Sequence, residues 1–212
     1  AGAPDSLWQL ATDKKMTVIP NGADLDRFKI PDTVATEPLP PGRRSVFHCL
    51  YVGTIGMASR LDLVIEAAKR CQEGTDSRFH FMVVGDGADR TRLEALARMW
   101  DLDNVTFTGL IPKREIPHYL QLADVCLVHL REDPLFATVL PSKMFEAMAM
   151  AKPIILGLRG SASKILQEAK AGIPISPEST DELLKALNRL ERSPALREKC
   201  GLSGRAFVQS FY

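Results

Sequence analysis

Hydrophobic positions along this chain form short apolar runs that alternate with segments of helical periodicity. Runs such as FHFMVV and DVCLVHL are almost continuously apolar, which is typical of strands with both faces buried. Strands that alternate with helices predict an α/β fold, a doubly wound parallel sheet of about six strands. The predicted strands are 46–52, 79–84, 105–108, 125–130, 153–156 and 173–175, and the helices that follow them are 61–71, 90–100, 116–122, 143–151, 162–169 and 181–190.

Capping residues support this division into elements. Ser179 and Glu182 stand at the spacing of a capping box, and Ser193-Pro194 offers a second cap with proline at the first helical position. The chain is therefore expected to end in two helices. The stretch 30–41 contains four prolines and no periodicity, which predicts an irregular connection.

The first residues do not have the pattern of a domain start. Residues 16–28, MTVIPNGADLDRF, predict a short strand and an Asn-Gly turn that enter the sheet from an earlier domain. We predict one Rossmann-like domain over 1–212, in which 1–44 form an entry segment and irregular connection. Both ends suggest one half of something longer.

Composition narrows the class of protein. The 212 residues are 45% hydrophobic and 25% charged, and a net charge of +1 gives no broad electrostatic reason to bind nucleic acid. No apolar stretch approaches the ~18 residues of a membrane-spanning helix, and no signal segment is recognisable, so we predict a cytoplasmic location. The four cysteines stand far apart, which predicts reduced thiols and no metal site.

The loop after the first strand is a candidate ligand site. In an open parallel sheet, ligands bind beyond the carboxyl ends of the strands, and this loop carries Gly53 and Gly56 before a helix. Glycines allow close approach of a diphosphate, and a helix N-terminus favours its charge. The loop is not G-x-G-x-x-G, which argues against a nicotinamide enzyme. The alternative is a tight turn that needs two glycines, and the turn Gly85-Asp86-Gly87 is better explained in that way.

A second loop leaves the fourth strand and leads into a helix that carries Lys143 and Glu146. These residues are three apart, so they share a helix face near its N-terminal end. The lysine could meet a phosphate while the carboxylate accepts hydrogen bonds from sugar hydroxyls. The alternative is a solvated pair worth at most ~0.5 kcal/mol. Among the histidines, only His129 lies near a carboxyl end, where it is expected to support the site without acting as a base.

Six motifs occur in a fixed order, and together they resemble the C-terminal half of a family 4 retaining glycosyltransferase of the GT-B fold. The resemblance covers nearly the whole chain, and P-L-F-A-T-V-L-P-S-K-M-F-E is most similar to a branch that builds bacterial O-antigen and capsular polysaccharide. The six motifs are V-I-P-N-G-A-D-L-D-R-F, Y-V-G-T-I-G, F-M-V-V-G-D-G-A, N-V-T-F-T-G-L-I-P, L-A-D-V-C-L-V and F-E-A-M-A-M-A-K-P-I-I.

The resemblance implies a donor site for a nucleotide sugar, in a cleft between two Rossmann-like halves. It gives Glu146 the ribose hydroxyls, Lys143 a phosphate, the loop glycines the diphosphate, and the loop at Leu110 and Ile111 the nucleobase. The implied donor-binding residues are Gly53, Thr54, Gly56, Arg60, Leu110, Ile111, Thr138, Val139, Leu140, Lys143 and Glu146.

The chain departs from the family pattern at several of these positions. Thr54 and Ser59 stand where many members carry Arg and Lys for phosphate, and Arg60 is a candidate to compensate. Many members also carry two glutamates eight apart, of which Glu146 matches the second while Thr138 replaces the first. The replacement leaves backbone amides at 138–140 to hold the donor sugar.

These expectations define one function and its rivals. The chain would bind a nucleoside-diphosphate sugar, a UDP-sugar by preference, for retaining transfer to a growing bacterial surface glycan. The expected partners are this donor, an acceptor-binding N-terminal domain absent here, and a glycan or lipid-linked acceptor; peripheral association with the inner face of the membrane is compatible with that role. No catalytic residue is identified, and no cofactor or metal is expected. By itself the chain should bind nucleotide without transferring sugar. The alternatives are a GT-B type UDP-sugar epimerase and a non-catalytic nucleotide-sugar-binding module.

Overall fold

The computed structural model describes residues 21–29, 46–74 and 78–212. Their centre is a sheet of six parallel strands in the order β3-β2-β1-β4-β5-β6. From β1, the next two strands are added toward one edge of the sheet. The chain then crosses back to place β4 beside β1, and β5 and β6 are added toward the other edge. The strands are β1 (Phe47–Val52), β2 (Phe79–Val84), β3 (Val105–Gly109), β4 (Val125–His129), β5 (Ile154–Gly157) and β6 (Gly172–Pro174).

Helices cover both faces of the sheet because successive strand residues point to opposite faces and both sets are apolar. In β1, Cys49 and Tyr51 join the core under α1, α2 and α6, whereas Leu50 joins the core under α3, α4, α5 and α7. The predicted doubly wound α/β fold is thereby confirmed. The helices are α1 (Asp62–Glu73), α2 (Arg90–Met99), α3 (Ile116–Leu122), α4 (Ser142–Ala149), α5 (Ser161–Glu168), α6 (Thr180–Glu191) and α7 (Pro194–Phe211).

The predicted caps of the last two helices are present, with one difference. The Ser179 hydroxyl accepts from the Glu182 N–H at the start of α6, and the Ser193 hydroxyl accepts from the Leu196 N–H at the start of α7. The Glu182 carboxylate accepts from the Ser176 N–H rather than from Ser179, because the Ser179 N–H already donates to the Ser176 carbonyl. Glu182 therefore binds an N–H three residues before Ser179 and does not close the predicted capping box.

Part of the predicted entry segment lies outside the described residues, including 16–20 and the proline-rich stretch 30–41. Within 21–29, the chain forms a turn in which the Phe28 N–H donates to the Asp24 carbonyl, 2.9 Å away. Phe28 is buried against the α4 side of the sheet. This turn therefore belongs to the domain, while the domain limits drawn from the sequence stay a prediction.

The loops after β1 and β2 lie back to back at the carboxyl edge of the sheet. Gly85 has φ +135°, and a Cβ there would lie 2.0 Å from the Gly53 carbonyl oxygen. A Cβ on Gly87 would likewise lie 2.3 Å from the Ile55 carbonyl oxygen. The second turn is glycine-rich because another backbone crosses it, in agreement with its interpretation as a structural turn.

We expect Gly85→Ala to destabilise the domain by about 3 kcal/mol, because alanine would combine an unfavourable φ with a backbone clash. The matched control is Gly56→Ala, where φ is −113° and the added Cβ would meet only Thr54 Cγ2 at 3.9 Å. Urea unfolding of both variants measures the difference. Equal stability of the two would contradict the assignment of Gly85 to loop packing.

Candidate functional site

The reversal of strand order between β1 and β4 places a crevice at their carboxyl ends, where open α/β sheets bind ligands. A cleft of about 590 Å³ lies there, within the range of small-molecule sites. Of the residues predicted from the sequence, it is lined by Gly53, Thr54, Gly56, Lys143 and Glu146. The first and second candidate loops therefore do meet in one place.

Lys143 projects from the first turn of α4 toward the end of β1. Its ammonium donates to the Tyr51 hydroxyl at 3.0 Å and lies 4.3 Å from the centroid of the Tyr51 ring. A Cβ on Gly53 would approach the Lys143 Nζ to 2.8 Å. Gly53, which has φ +145°, therefore leaves room for the ammonium as well as for the turn.

Glu146 lies one helical turn from Lys143 but in different surroundings. Burial raises the pKa of its carboxyl, an effect that the positive charges of Lys143, Lys113 and Arg27 oppose. Among the described residues, no salt bridge within 4.0 Å joins Glu146 to any of these cations. The alternative of a solvated Lys143–Glu146 surface pair is therefore not what the structure contains.

The N-terminus of α4 adds to the positive character of this wall. Its first turn contains no acidic residue, and no side chain caps it after Pro141. Ser142 also lines the cleft. Unpaired N–H groups at a helix start attract anions, and Lys143 stands among them.

Arg60 is held away from this wall. Its guanidinium contacts Glu178 at 3.2 Å and Asp62 at 3.7 Å, and Arg60 is not among the residues that line the cleft. A phosphate contact by Arg60 stays a prediction, and it would require the exchange of these ion pairs for the ligand.

The residues predicted to hold base and sugar are not among those that line the cleft, namely Leu110, Ile111, Thr138, Val139 and Leu140. Leu110 is 82% exposed, and Ile111 packs on the core beside α3. Thr138 ends a short 3₁₀ turn, and the Val139 N–H already donates to the Phe136 carbonyl at 3.1 Å. The Leu140 carbonyl accepts from the Asn21 side chain at 2.7 Å. Contacts of these residues with a donor stay predictions.

Two cationic side chains that line the cleft, Arg27 and Lys113, were not predicted from the sequence. Lys113 comes directly after the predicted base loop. Its position beyond the carboxyl end of β3 was a sequence signal that it could reach the cleft. Arg27 comes from the turn at 24–28, together with the buried Phe28. No local pattern in the sequence indicates that this turn packs on the α4 side of the sheet, because the contact depends on tertiary packing.

His129, at the end of β4, is completely buried and joins two loops. Its Nδ1 lies 2.8 Å from the Ser59 carbonyl, and the Glu178 N–H donates to its Nε2 at 2.9 Å. A carbonyl can only accept and an N–H can only donate, so the imidazole is neutral with its proton on Nδ1. The expectation that His129 supports the site from behind stays a prediction, and this geometry is compatible with it.

Most of the residues that build this cleft lie within a stretch that matches a known family. Residues 45–207 match the profile of the family described as Glycosyl transferases group 1. The chain belongs to this family. The likeness seen in the ordered sequence motifs is thereby confirmed at the level of the family.

Relatives of this chain include two enzymes of known name. It is 32% identical over 152 residues to the alpha-D-kanosaminyltransferase of Streptomyces kanamyceticus, which covers 71% of this chain and 38% of that enzyme. It is 29% identical over 199 residues to the GDP-mannose-dependent alpha-(1-6)-phosphatidylinositol monomannoside mannosyltransferase of Mycobacterium tuberculosis, with 90% and 50% covered. The chain thus spans half or less of these relatives' length.

A solved structure shows the same fold. HepE from Anabaena, in complex with UDP and glucose, matches this chain with a TM-score of 0.77 and 18% identity, over 92% of this chain and 52% of that one. Across the described segments of the chain, no helix has the length and apolar character needed to cross a membrane. Those same segments contain no cluster of three or more His, Cys, Asp or Glu side chains arranged to hold a metal ion.

The buried His129 predicts a pH dependence of stability. Burial lowers the pKa of its imidazole, although the Ser59 carbonyl and the Glu178 carboxylate act in the opposite direction. The unfolded chain therefore takes up this proton first as the pH falls below ~6.5. The stabilisation present above that pH should be lost progressively toward the folded-state pKa.

As the pH is lowered, protonation of this one group should reduce the free energy of unfolding by at most about 1.4 kcal/mol per pH unit. His129→Gln should remove that contribution to the pH dependence of stability. Urea unfolding at pH 5 to 8 compares the two proteins. Parallel slopes would show that His129 is not a buried neutral imidazole.

Proposed function

We propose that this chain is the donor-binding part of a retaining glycosyltransferase and that it holds a nucleoside-diphosphate sugar, namely a UDP-sugar, in the cleft beyond β1 and β4. The observation that carries the proposal is the separation of Lys143 and Glu146. The two side chains lie one helical turn apart in one cleft, with the ammonium on Tyr51 and the carboxylate without a salt bridge. Each is then available to a different part of one ligand.

The charge of the cleft fits a diphosphate. Among the described residues, the cations Arg27, Lys113 and Lys143 line it together with one carboxylate, that of Glu146. A diphosphate with both phosphates ionised would be drawn to this excess of positive charge, and most strongly to Lys143 beside the N-terminus of α4. The open side of Gly56, where a Cβ would meet nothing closer than 3.9 Å, leaves the loop backbone accessible to the same phosphates.

Glu146 would take the ribose. An ionised carboxylate can accept two hydrogen bonds from neighbouring hydroxyls, and the vicinal hydroxyls of a ribose present two donors at matching distance. Those bonds would favour the charged form of Glu146 and so offset the effect of burial on its pKa. The nucleobase would then lie toward the loop after β3, and the sugar toward residues 138–140.

The chemistry that this wall supports is stabilisation of the leaving group. During transfer, the bond between the anomeric carbon and the diphosphate oxygen breaks and the oxygen keeps the electron pair. An acceptor hydroxyl oxygen bonds to that carbon, and its proton passes to the departing diphosphate. Lys143 and the α4 N-terminus would stabilise the negative charge on the departing UDP. The acceptor, a growing bacterial surface glycan, would be held by a second domain, and transfer requires both walls.

We expect Lys143→Ala and Glu146→Ala to separate by ligand in calorimetric titrations of this chain. Lys143→Ala should weaken UDP binding by about 1.5 to 3 kcal/mol and leave uridine unaffected, because uridine has no phosphate. Glu146→Ala should weaken UDP and uridine alike, since both contain the ribose. Binding of 2′,3′-dideoxy-UDP should be insensitive to Glu146→Ala.

Exposed residues of the same types on α5 provide matched controls for this experiment. Lys164→Ala and Glu168→Ala lie outside the cleft and should leave all three affinities unchanged. If Lys143→Ala and Glu146→Ala behave like these controls, the donor site is not on this face of α4.

The base is tested by titrating wild-type chain with UDP, GDP and ADP. We expect UDP to bind about tenfold more tightly than GDP or ADP, a difference of about 1.4 kcal/mol in binding free energy. The UDP complex of HepE supports this choice, whereas the mannosyltransferase relative is named for GDP-mannose. Tighter binding of GDP would overturn the choice of uracil and leave the diphosphate site intact.

A further inference from the structure

A buried tyrosine anchors the cation of the cleft. Tyr51 is 1% exposed, and its hydroxyl is close to three polar groups: Lys143 Nζ at 3.0 Å, the Thr54 carbonyl at 2.8 Å and the Ser59 hydroxyl at 2.9 Å. The Ser59 hydroxyl in turn donates to the Thr54 carbonyl at 2.8 Å. Such a cluster is expected when a buried phenol must satisfy its hydrogen bonds away from water.

The direction of each hydrogen bond follows from the available protons. An ammonium has only donors, so the Tyr51 oxygen accepts from Lys143. The single phenol proton must then point to Thr54 or Ser59, and the Ser59 proton completes the contact with the Thr54 carbonyl. The series of bonds therefore runs from Lys143 through Tyr51 to the loop backbone and leaves the Tyr51 oxygen facing the ammonium.

Two further features limit the position of Lys143. The ring of Tyr51 attracts the ammonium over its face, with the centroid 4.3 Å from Nζ. Gly53 leaves a space that any larger residue would fill, since its Cβ would lie 3.2 Å from Lys143 Cε. A lysine that is ordered before the ligand arrives loses less side-chain entropy on binding than a mobile one.

We propose that Tyr51 is a positioning residue, which holds the Lys143 ammonium where it meets the diphosphate, and that Ser59 and the Thr54 carbonyl act through Tyr51. The proposal rests on the proposed function, because it assigns Lys143 to a phosphate. Thr54 and Ser59 carry no charge, but their hydrogen bonds hold the Tyr51 hydroxyl, which in turn positions the Lys143 ammonium.

The test is Tyr51→Phe, which keeps the ring and removes only the hydroxyl. UDP affinity of this variant should fall about tenfold, the effect of one hydrogen bond to a charged group, while uridine affinity stays the same. Tyr119→Phe is the matched control, because Tyr119 lies on α3 outside the cleft and should leave both affinities unchanged. An equal loss for UDP and uridine, or no loss for UDP, would overturn the proposal.

A second readout needs no ligand. Reductive methylation of lysines, followed by mass spectrometry, reports how readily the amine of Lys143 leaves its partners. Lys143 should be labelled several-fold faster in Tyr51→Phe than in wild type or Tyr119→Phe. Equal rates would overturn the positioning role even if nucleotide affinity changed.

These readouts distinguish failure of the proposed function from failure of the positioning role of Tyr51. If wild-type chain does not bind UDP, the proposed function fails, and faster labelling of Lys143 in Tyr51→Phe would still support its anchoring by Tyr51. If Tyr51→Phe does not fold, Ser59→Ala replaces it, since it keeps the Tyr51 hydroxyl and its bond to the Thr54 carbonyl. That variant should lose UDP affinity about threefold with uridine unchanged, and wild-type affinity for UDP would count against the proposal.

Discussion

Pairing between β1 and β4 is the constraint on which the rest of this structure depends. The two strands share only two registered residue pairs, and Asp124 starts the ladder by accepting from the His48 N–H with its carboxylate and donating its own N–H to the His48 carbonyl. Beyond that pairing the chain diverges: the Gly53 N–H donates to Val84 on β2, and the Leu130 N–H donates to Gly157 on β5. The cleft opens between them as a consequence of topology.

The loops around this opening are held by buried polar groups. His129 joins the loop after β1 to the loop before α6, and Tyr51 joins the loop after β1 to α4. Away from water, an unsatisfied polar group is costly, so each of these side chains fixes its partners in one arrangement. These contacts hold the loops of the candidate site through protein groups alone, an arrangement that lowers the entropy lost on binding.

The electrostatic asymmetry of α4 follows from the same packing. The Tyr51 hydroxyl accepts a hydrogen bond from Lys143 at the end of β1, where Gly53 leaves room for the ammonium, and Lys143 forms no salt bridge with Glu146 one turn later. Glu146 remains half-buried, with three cations near enough to act on its pKa and none within salt-bridge distance. Opposite charges that neutralise each other would offer a ligand little, whereas separated charges offer it two different contacts.

The amino-acid sequence by itself determined the layers of the fold and the edge of the sheet that carries the candidate site. Apolar runs with both faces buried, capping serines and helical periodicity are local signals, so the strands, the helices and the convergence of the Gly53 and Lys143 loops could be read from them. Only the tertiary structure decided that Lys143 rests on Tyr51, that Arg60 is paired with Glu178, and that Arg27 enters the cleft. These outcomes depend on contacts between residues distant in the chain, such as the 92 positions between Tyr51 and Lys143. The periodicity of a sequence indicates which side of an element is buried. The partner of a polar side chain depends on distances and on competition among hydrogen-bonding groups, and these are set only when the chain has folded.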